Sequence, residues 1–466
     1  MLQREPVINQ QPSTSYGGIL KLAAPLILSM SGMVLMQFTD ALFLSWYSAD
    51  AIAAVVPAFM PSFLLASALT GTAGYTSTFV AQYVGANRPQ RVAASVWQGI
   101  YFSILSGVLL ALVSVAARPL YAWVGHAAAI QAMEVRFFSI LCWGGFFFVV
   151  SSALSGFFSG RGQTTVVMAV NMAGQAVNIV FDYLLIFGKF GFPRLGVTGA
   201  ALATVGSQAL IALAFAFLFL RRANRRQWST WSSAAFDKTL FSRLVRFGLP
   251  GGMRFSLEMA GWTVFVFFIG RIGSIDLAAT NIAWRINGIA IFPVTGLSAA
   301  VAILVGNAQG ALRPDISARV MWRGTILSQV WMLVMAIVFV VFPRQLFGIF
   351  AGSDPASASQ FATLGTMLLR FVAAYCLVDA FNYVCVSTLV AAGDTRWTLY
   401  ASIALNALFF AGLAAADKWQ RTLFAEWAIA TAFVVLQAFM FFGRYMQGKW
   451  KGFRVIEPKV ADGALS

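Results

Sequence analysis

Long apolar runs alternate with short polar breaks along the whole chain. Twelve runs can be marked, at about 18–44, 52–83, 93–116, 131–158, 164–187, 197–220, 243–270, 277–308, 319–342, 360–391, 397–416 and 422–443. Each is long enough for a helix to cross a hydrocarbon core of roughly 30 Å. None shows the roughly ten-residue alternation of a membrane barrel strand. Backbone groups inside a bilayer have no water to bond, so helices are the remaining solution. The pattern therefore predicts an all-α integral membrane protein with twelve transmembrane helices. The longest break runs from Arg221 to Phe241, carries Arg221, Arg222, Arg225, Arg226 and Lys238, and divides the runs into two sets of six. The expected organisation is a tail at 1–17, an N-lobe at 18–220, a basic linker at 221–242, a C-lobe at 243–443 and a basic tail at 444–466.

The two halves repeat. Gly85-Ala86-Asn87-Arg88-Pro89 follows the second segment and Gly310-Ala311-Leu312-Arg313-Pro314 the eighth, an offset of 310 − 85 = 225. The same offset carries Pro25 to Pro250 and Ala53-Ala54 to Ala278-Ala279. Later landmarks drift, with Gly162-Gln163-Thr164 matching Gly393-Asp394-Thr395 at 393 − 162 = 231. Several matches in order, at equivalent helix ends, exceed what one shared motif would show. Six helices per half is an even number, so the two lobes share one orientation and are related by a pseudo-two-fold axis along the membrane normal.

Composition agrees with the pattern. Hydrophobic residues make up 59% and charged residues 10% of the chain, against about 25% charged in soluble domains. A net charge of +16 would suggest nucleic acid in a soluble protein. Here the Lys and Arg lie between apolar runs, so they read as topology rather than as a nucleic-acid surface. One face, with both termini and the breaks after segments two, four, six, eight and ten, holds most of them. The other has only Arg118, Arg136, Lys189, Arg194, Arg271, Arg344, Lys418 and Arg421. The richer face is expected to be cytoplasmic, with both termini inside. Met1 to Tyr16 contains Glu5 and reads as a tail, not a cleavable signal. Cys142, Cys376 and Cys385 fall in apolar runs and read as small hydrophobes, and His126 as a solvated loop residue.

Chemistry enters with four of the sixteen acids, which lie well inside spans: Asp40, Asp182, Glu258 and Asp379. An ionisable group at that depth is costly, about 2.5–3.5 kcal/mol on insertion scales, and reads as functional by default. The plainer alternative for any one of them is a structural residue paired with a neighbour. Asn178 and Asp182 are four apart on one helix face, Gln37 is three before Asp40, and Tyr375 is four before Asp379. Asp40, Asn178, Asp182 and the Thr204 hydroxyl supply hard oxygens that suit an alkali cation, and a desolvated carboxylate can carry a proton instead. Asn178 alone could equally be an interhelical hydrogen bond. Arg254 lies one turn before Glu258 and is expected to pair with it, with Arg285 and Arg370 as further partners. Pro25, Pro57, Pro61, Gly71 and Gly74 in the first half, and Pro250, Gly251, Gly252, Pro293 and Gly296 in the second, are candidate hinges or ordinary membrane packing. No Walker loop, zinc-ligand cluster or intramembrane histidine points to catalysis, and no loop is long enough for a nucleotide domain.

Over about 15–445 the chain resembles multidrug and toxic compound extrusion (MATE) transporters, in particular the bacterial NorM- and DinF-like branches. The residues carrying the resemblance are Pro25 with Thr39-Asp40; Gly85-Ala86; Asn178 to Asp182 with Leu185-Ile186-Phe187-Gly188; Leu195-Gly196-Val197 with Gly199-Ala200-Ala201 and Ala203-Thr204; Leu249-Pro250 with Leu257-Glu258; Gly306 with Gly310-Ala311; and Ala392-Gly393-Asp394-Thr395. Ser45 and Gln163 depart from the pattern, where Gly and Asp are usual, and bear on local loop geometry alone. The resemblance implies a V-shaped pair of lobes and secondary antiport of organic cations or other amphipathic drugs against Na+ or H+, with no cofactor beyond the coupling ion. It implies an N-lobe cation site at Asp40, Asn178, Asp182 and Thr204 with the Ala200 carbonyl, and a C-lobe site at Glu258, Tyr375 and Asp379. Gln37, Arg254 and Arg285 stand as possible substrate or modulating residues.

The reading is thus an antiporter of the bacterial inner membrane, working as a monomer in contact with membrane lipid. Two rivals remain at this point: a flippase of lipid-linked or anionic precursors with the same architecture, and an intramembrane enzyme acting on lipid through Asp40, Asp182 or Asp379.

Overall fold

The computed structural model of the chain describes residues 14–349, 355–419 and 421–458. Twelve helical spans are present: α1 (Tyr16–Tyr47), α2 (Ala49–Gly85), α3 (Pro89–Val124), α4 (Ala128–Ser159), α5 (Thr164–Phe187), α6 (Val197–Leu220), α7 (Lys238–Gly270), α8 (Ser274–Gly310), α9 (Pro314–Val341), α10 (Thr363–Ala392), α11 (Thr395–Trp419) and α12 (Leu423–Met446). The polar breaks supply the caps. Ser48 Oγ accepts from the Ala51 amide at 3.0 Å, Asp237 Oδ1 from Leu240 at 2.9 Å and Thr422 Oγ1 from Ala425 at 3.3 Å, each satisfying an amide left open in a first turn. Three spans are interrupted, α3 by a 3-10 turn at Ser114–Ala116. α2 breaks at Tyr75, just past Gly74, and α4 breaks at Gly144. Most of the expected 1–17 tail and the end of the 444–466 tail lie outside the described residues.

α1–α6 form one lobe and α7–α12 the other. Inside the first, α1 packs on α5, α5 on α6, α3 on α4 and α2 on α4; inside the second, α7 packs on α11, α11 on α12, α9 on α10 and α8 on α10. Each pairing maps onto its counterpart by adding six to the span number. Between the lobes α2 packs on α7 and α1 on α8, which are the same contact taken twice.

The repeat is visible at single residues. A Cβ at Gly85 would meet the Asn307 carbonyl, and a Cβ at Gly310 would meet the Gln82 carbonyl. Since 85 + 225 = 310 and 82 + 225 = 307, these are one contact and its two-fold mate. Gly71 faces Gly252 across α2 and α7, and Gly296 faces Ile27 across α8 and α1. Here 71 + 225 = 296 and 27 + 225 = 252. Small residues let the backbones approach closely where no hydrophobic drive separates helix from lipid.

These contacts cluster toward one face. Among the described residues, hydrogen bonds between the lobes occur on the side of both termini: Ser67 with Ser256 at 2.6 Å, Thr295 to Met30, Tyr75 OH to the Val390 carbonyl at 2.7 Å and Gln82 Nε2 to the Ala391 carbonyl at 2.9 Å. Beyond Leu64 and Ser256, toward the other face, no hydrogen bond joins the lobes among the described residues. The result is a cleft closed at the terminal face and open at the other.

The segment after α12 is a strap and not a free tail. Lys449–Gly452 forms a 3-10 turn, Trp450, Val455 and Ile456 are buried, and the backbone runs beneath both lobes. Arg454 donates to the Gly310 carbonyl and the Val455 amide to Gln82 Oε1, each at 3.0 Å. Glu457 accepts from Tyr83 OH at 2.7 Å and from Arg91 Nε at 3.0 Å. Burial alone would raise the Glu457 carboxyl, but the Tyr83 hydrogen bond and the Arg91 charge outweigh it and hold it below its ordinary range. A depressed carboxylate stabilises the fold above its unfolded pKa of about 4.3, and that contribution is lost as pH falls through the lower folded value. At neutral pH, Glu457→Gln removes a charged hydrogen bond of about 1.5 kcal/mol or more. Hydrogen exchange over 453–457 should then rise by roughly tenfold; an unchanged rate would show that the strap holds without Glu457.

One expectation changes at the opposite face. His126 is not merely solvated: its Nδ1 lies 2.7 Å from Glu134 Oε1. Glu134 is fully buried in the second turn of α4. A carboxylate enclosed there needs a polar partner, and the α3–α4 loop folds back to provide one.

Candidate ion and substrate site

One face of α5 carries Asn171, Gln175, Asn178 and Asp182, spaced 4, 3 and 4 residues apart, so a single seam runs up the helix. That seam meets α1. Asn171 donates to Ser29 Oγ and Gln175 to the Ser29 carbonyl, both at 3.1 Å. Higher up, Asn178 stands between two acids. With the amide turned so that nitrogen faces the carboxylates, Nδ2 lies 3.2 Å from Asp40 Oδ1 and 3.3 Å from Asp182 Oδ2. The two carboxyl groups also lie next to each other. Asn178 and Asp182 are fully buried, and Asp182 Oδ1 has no partner. Two carboxylates this close cannot both stay bare anions; they share a proton or hold a cation. The unpartnered oxygen and an all-oxygen acceptor set fit either one. The structure thus brings together Asp40, Asn178 and Asp182.

It does not bring Thr204, Ala200 or Gln37 to them. The Thr204 hydroxyl donates back to the Ala200 carbonyl at 2.9 Å, the usual local bond of a helical Thr, so each satisfies the other. α5 and α6 place Thr204 near the level of Asp182, since Gly199 abuts Leu185 and Gly206 abuts Phe181. No hydrogen bond joins Thr204 to either acid among the described residues. Gln37 is exposed, and no hydrogen bond joins it to either acid among the described residues.

In the C-lobe, Arg254 Nη1 meets Glu258 Oε2 at 2.8 Å. Arg285 and Arg370 are both exposed and neither pairs with Glu258. Tyr375 and Asp379 are buried one turn apart on α10. Asp379 lies beside Asn382 and within electrostatic reach of Glu258. Asn382 Nδ2 donates to Gln437 at 2.9 Å, and Asn287 Nδ2 donates to the Tyr375 hydroxyl at 3.2 Å. Sequence reasoning missed Asn287, Asn382 and Gln437. Their signal was amides inside apolar runs, masked by the acids nearby.

The acids are two per lobe, yet they are not equivalent. Adding 225 carries Asp40 to Phe265. Adding 395 − 164 = 231, the offset between the starts of α11 and α5, carries Asn178 to Phe409 and Asp182 to Leu413. Phe265 and Phe409 stack with ring centroids 6.3 Å apart, inside a buried cluster that also holds Leu413. The place that is polar in one lobe is aromatic core in the other.

The cleft walls follow from helix period. On each span, steps of three and four from the inter-lobe contacts reach exposed side chains: Leu35 and Phe38 from Ile27, Val56 and Met60 from Ser67, Phe267 from Ser256, Ile289 from Gly296. Arg285 lies on that α8 face, so it borders the cleft. Asp40 is ten or more residues beyond the last inter-lobe contacts of α1, about 15 Å along the helix; Glu258 is two beyond Ser256, near the cleft floor.

A family model described as MatE matches residues 25–184 and 250–414, the greater part of both lobes. This chain belongs to the MatE family. The probable multidrug resistance protein NorM of Pseudomonas putida is 30% identical over 403 residues, covering 83% of this chain and 84% of that protein. The protein of the same description from Rhizobium meliloti is 27% identical over 425 residues, 90% of this chain and 87% of that one. A solved structure of MATE in the straight conformation matches with a TM-score of 0.85 at 20% identity, covering 96% of this chain and 99% of that one. A MOP superfamily transporter from Pyrococcus furiosus, whose binding pocket is described as of reversed polarity, matches with a TM-score of 0.83 at 20% identity over 97% and 100%. These structures bear on the fold. The MatE protein is a multi-pass membrane transporter and not an enzyme, which removes the lipid-modifying alternative.

Proposed function

We propose that this chain is a secondary multidrug efflux antiporter of the bacterial inner membrane, with both termini cytoplasmic, exporting amphipathic and cationic drugs in exchange for Na+ or H+. The observation that carries the reading is the Asp40–Asn178–Asp182 cluster, with its unpartnered buried oxygen, in the lobe wall of an apolar cleft. The exposed Leu35, Phe38, Met60 and Ile289 suit flat apolar cargo. The names of the relatives agree with such cargo.

In this orientation the described form is open outward. An incoming ion binds Asp40 and Asp182, offsets their mutual repulsion and draws α1 onto the α5 seam. Drug and ion then favour different arrangements of the cleft, which is what couples their fluxes. The test is ethidium efflux from proteoliposomes with a Na+ gradient and a pH gradient imposed separately. Efflux driven by at least one of them is expected; drug movement indifferent to both would sink the proposal.

A further inference from the structure

We infer that the Arg254 guanidinium is the resident cation of the C-lobe carboxylates, so that the exchangeable coupling ion is held in the N-lobe alone. The inference rests on the antiport reading above and assigns Arg254 as the residue that sets ion stoichiometry.

The two lobes treat their acids differently. α1, α2, α5 and α6 surround the N-lobe pair, and their sequences contain one base, Lys21, nineteen residues before Asp40. Asp182 Oδ1 is buried and unpartnered, and no ion pair reaches Asp40 or Asp182 among the described residues. That site lacks positive charge and must take it from a mobile ion or a proton. In the C-lobe, Glu258 already has Arg254 at 2.8 Å, and the pair is mostly buried, with side chains 17% and 12% exposed. Asp379 has Asn382 beside it. Arg254 sits one turn from Glu258 on the same helix, so its effective concentration there is at least in the mM range. It also lines the cavity of about 210 Å³ between the lobes, beside Gly71, Gly74 and Gly251. A free Na+ or proton must compete with a tethered cation that cannot diffuse away.

The oxygens for a second site are nevertheless present. Asn287 Oδ1 and Asn382 Oδ1 are buried without partners near Tyr375 and Asp379. Removing the guanidinium charge leaves Glu258 and the buried Asp379 as two acids within electrostatic reach of each other, with these carbonyl oxygens near Tyr375 and Asp379, the kind of ligand set a hard cation takes. The residue that precludes a C-lobe ion is therefore Arg254.

Ion capacity of the purified full-length chain reads this directly. It is counted as bound radioactive Na+ or, for a proton-driven transporter, as protons released on saturating ethidium. The wild type should hold one ion per chain and Asp182→Asn none. Arg254→Gln should gain a second ion, lost again in the Arg254→Gln, Glu258→Gln double variant. A wild-type capacity of two overturns the inference, as does an ion that survives Asp182→Asn but disappears in Glu258→Gln. A folded, monodisperse Arg254→Gln that still holds one ion also overturns it. Should Arg254→Gln fail to fold, the wild-type, Asp182→Asn and Glu258→Gln capacities still decide. Failure of antiport itself looks different: no efflux under either gradient.

Discussion

Asp182→Asn is expected to abolish ion-driven ethidium efflux while leaving the protein folded and inserted. Asparagine keeps the size of the side chain and can still bond Asn178, but the cluster loses a charge. Removing one partner from a buried charge cluster costs about 3–5 kcal/mol, which is roughly a hundred- to several-thousand-fold in ion affinity. At ordinary ion concentrations such a site stays empty and the cycle stops. Asp40→Asn should act in the same direction with a smaller loss, because Asp40 is only half-buried and its oxygens keep some contact with water. Efflux rates in everted vesicles, at equal expression, check both. If Asp182→Asn exports ethidium within twofold of the wild type, the N-lobe cluster is not the coupling site. Gln37→Ala and Thr204→Val are informative companions. Neither side chain bonds the acids, so a large loss in either would mean that the ion-bound form recruits it.

Much of the architecture was legible because it depends on period and length. Twelve apolar runs, the break at 221–241 and the offset of 225, drifting to 231 late in each half, are properties of the chain alone. The reciprocal contacts of Gly85 with Asn307 and Gly310 with Gln82 show why the offset holds: each glycine is the seat for the partner lobe's backbone. The Asp40, Asn178 and Asp182 positions were also readable, since an acid in an apolar run has few other uses. Contacts between chemically different neighbours were less readable. Thr204 looked like a ligand from its side chain, but whether a helical hydroxyl turns to its own backbone is a rotamer choice with no sequence signal. The acids number two per lobe, yet the position related by the repeat to the N-lobe acids holds Phe265, Phe409 and Leu413. Two-fold symmetry is imposed by packing between the lobes, where both surfaces must fit at once. Nothing imposes it on lobe interiors, so their chemistry has diverged. The strap was missed for another reason. Its hold comes from Gln82, Arg91 and Tyr83, more than 350 residues away from Val455 and Glu457 in the chain.

Gly252→Ala should open the closed floor of the cleft. The two-fold mate of Gly252 is Ile27, a large residue that fits because Gly296 opposite it provides room. In the α2–α7 copy of this contact both members are glycine, and the backbones have closed in further. A Cβ on Gly252 would collide with the Ala68 carbonyl oxygen and stand 2.9 Å from the Thr72 amide nitrogen. Both are backbone atoms that no rotamer change moves away, so α2 and α7 must separate. Overpacking of this kind costs about 1–3 kcal/mol, and here it falls on the form in which these helices touch. The equilibrium between cleft-closed and separated floors should therefore shift by roughly 5- to 150-fold. Ser67 and Ser256, whose hydroxyl oxygens are 2.6 Å apart one turn away, give the readout. With Ser67→Cys and Ser256→Cys in a background lacking Cys142, Cys376 and Cys385, oxidative cross-linking should be rapid in the parent. It should slow at least about fivefold when Gly252→Ala is added. Gly296→Ala should act in the same direction more weakly, since its Cβ would meet the Ile27 side chain at Cγ1 first, with the nearest backbone atom, the Ile27 nitrogen, 3.0 Å away. Equal cross-linking rates with and without Gly252→Ala would mean that the floor is held by the strap and by the Gly85–Gly310 contacts, with the α2–α7 glycine pair contributing little.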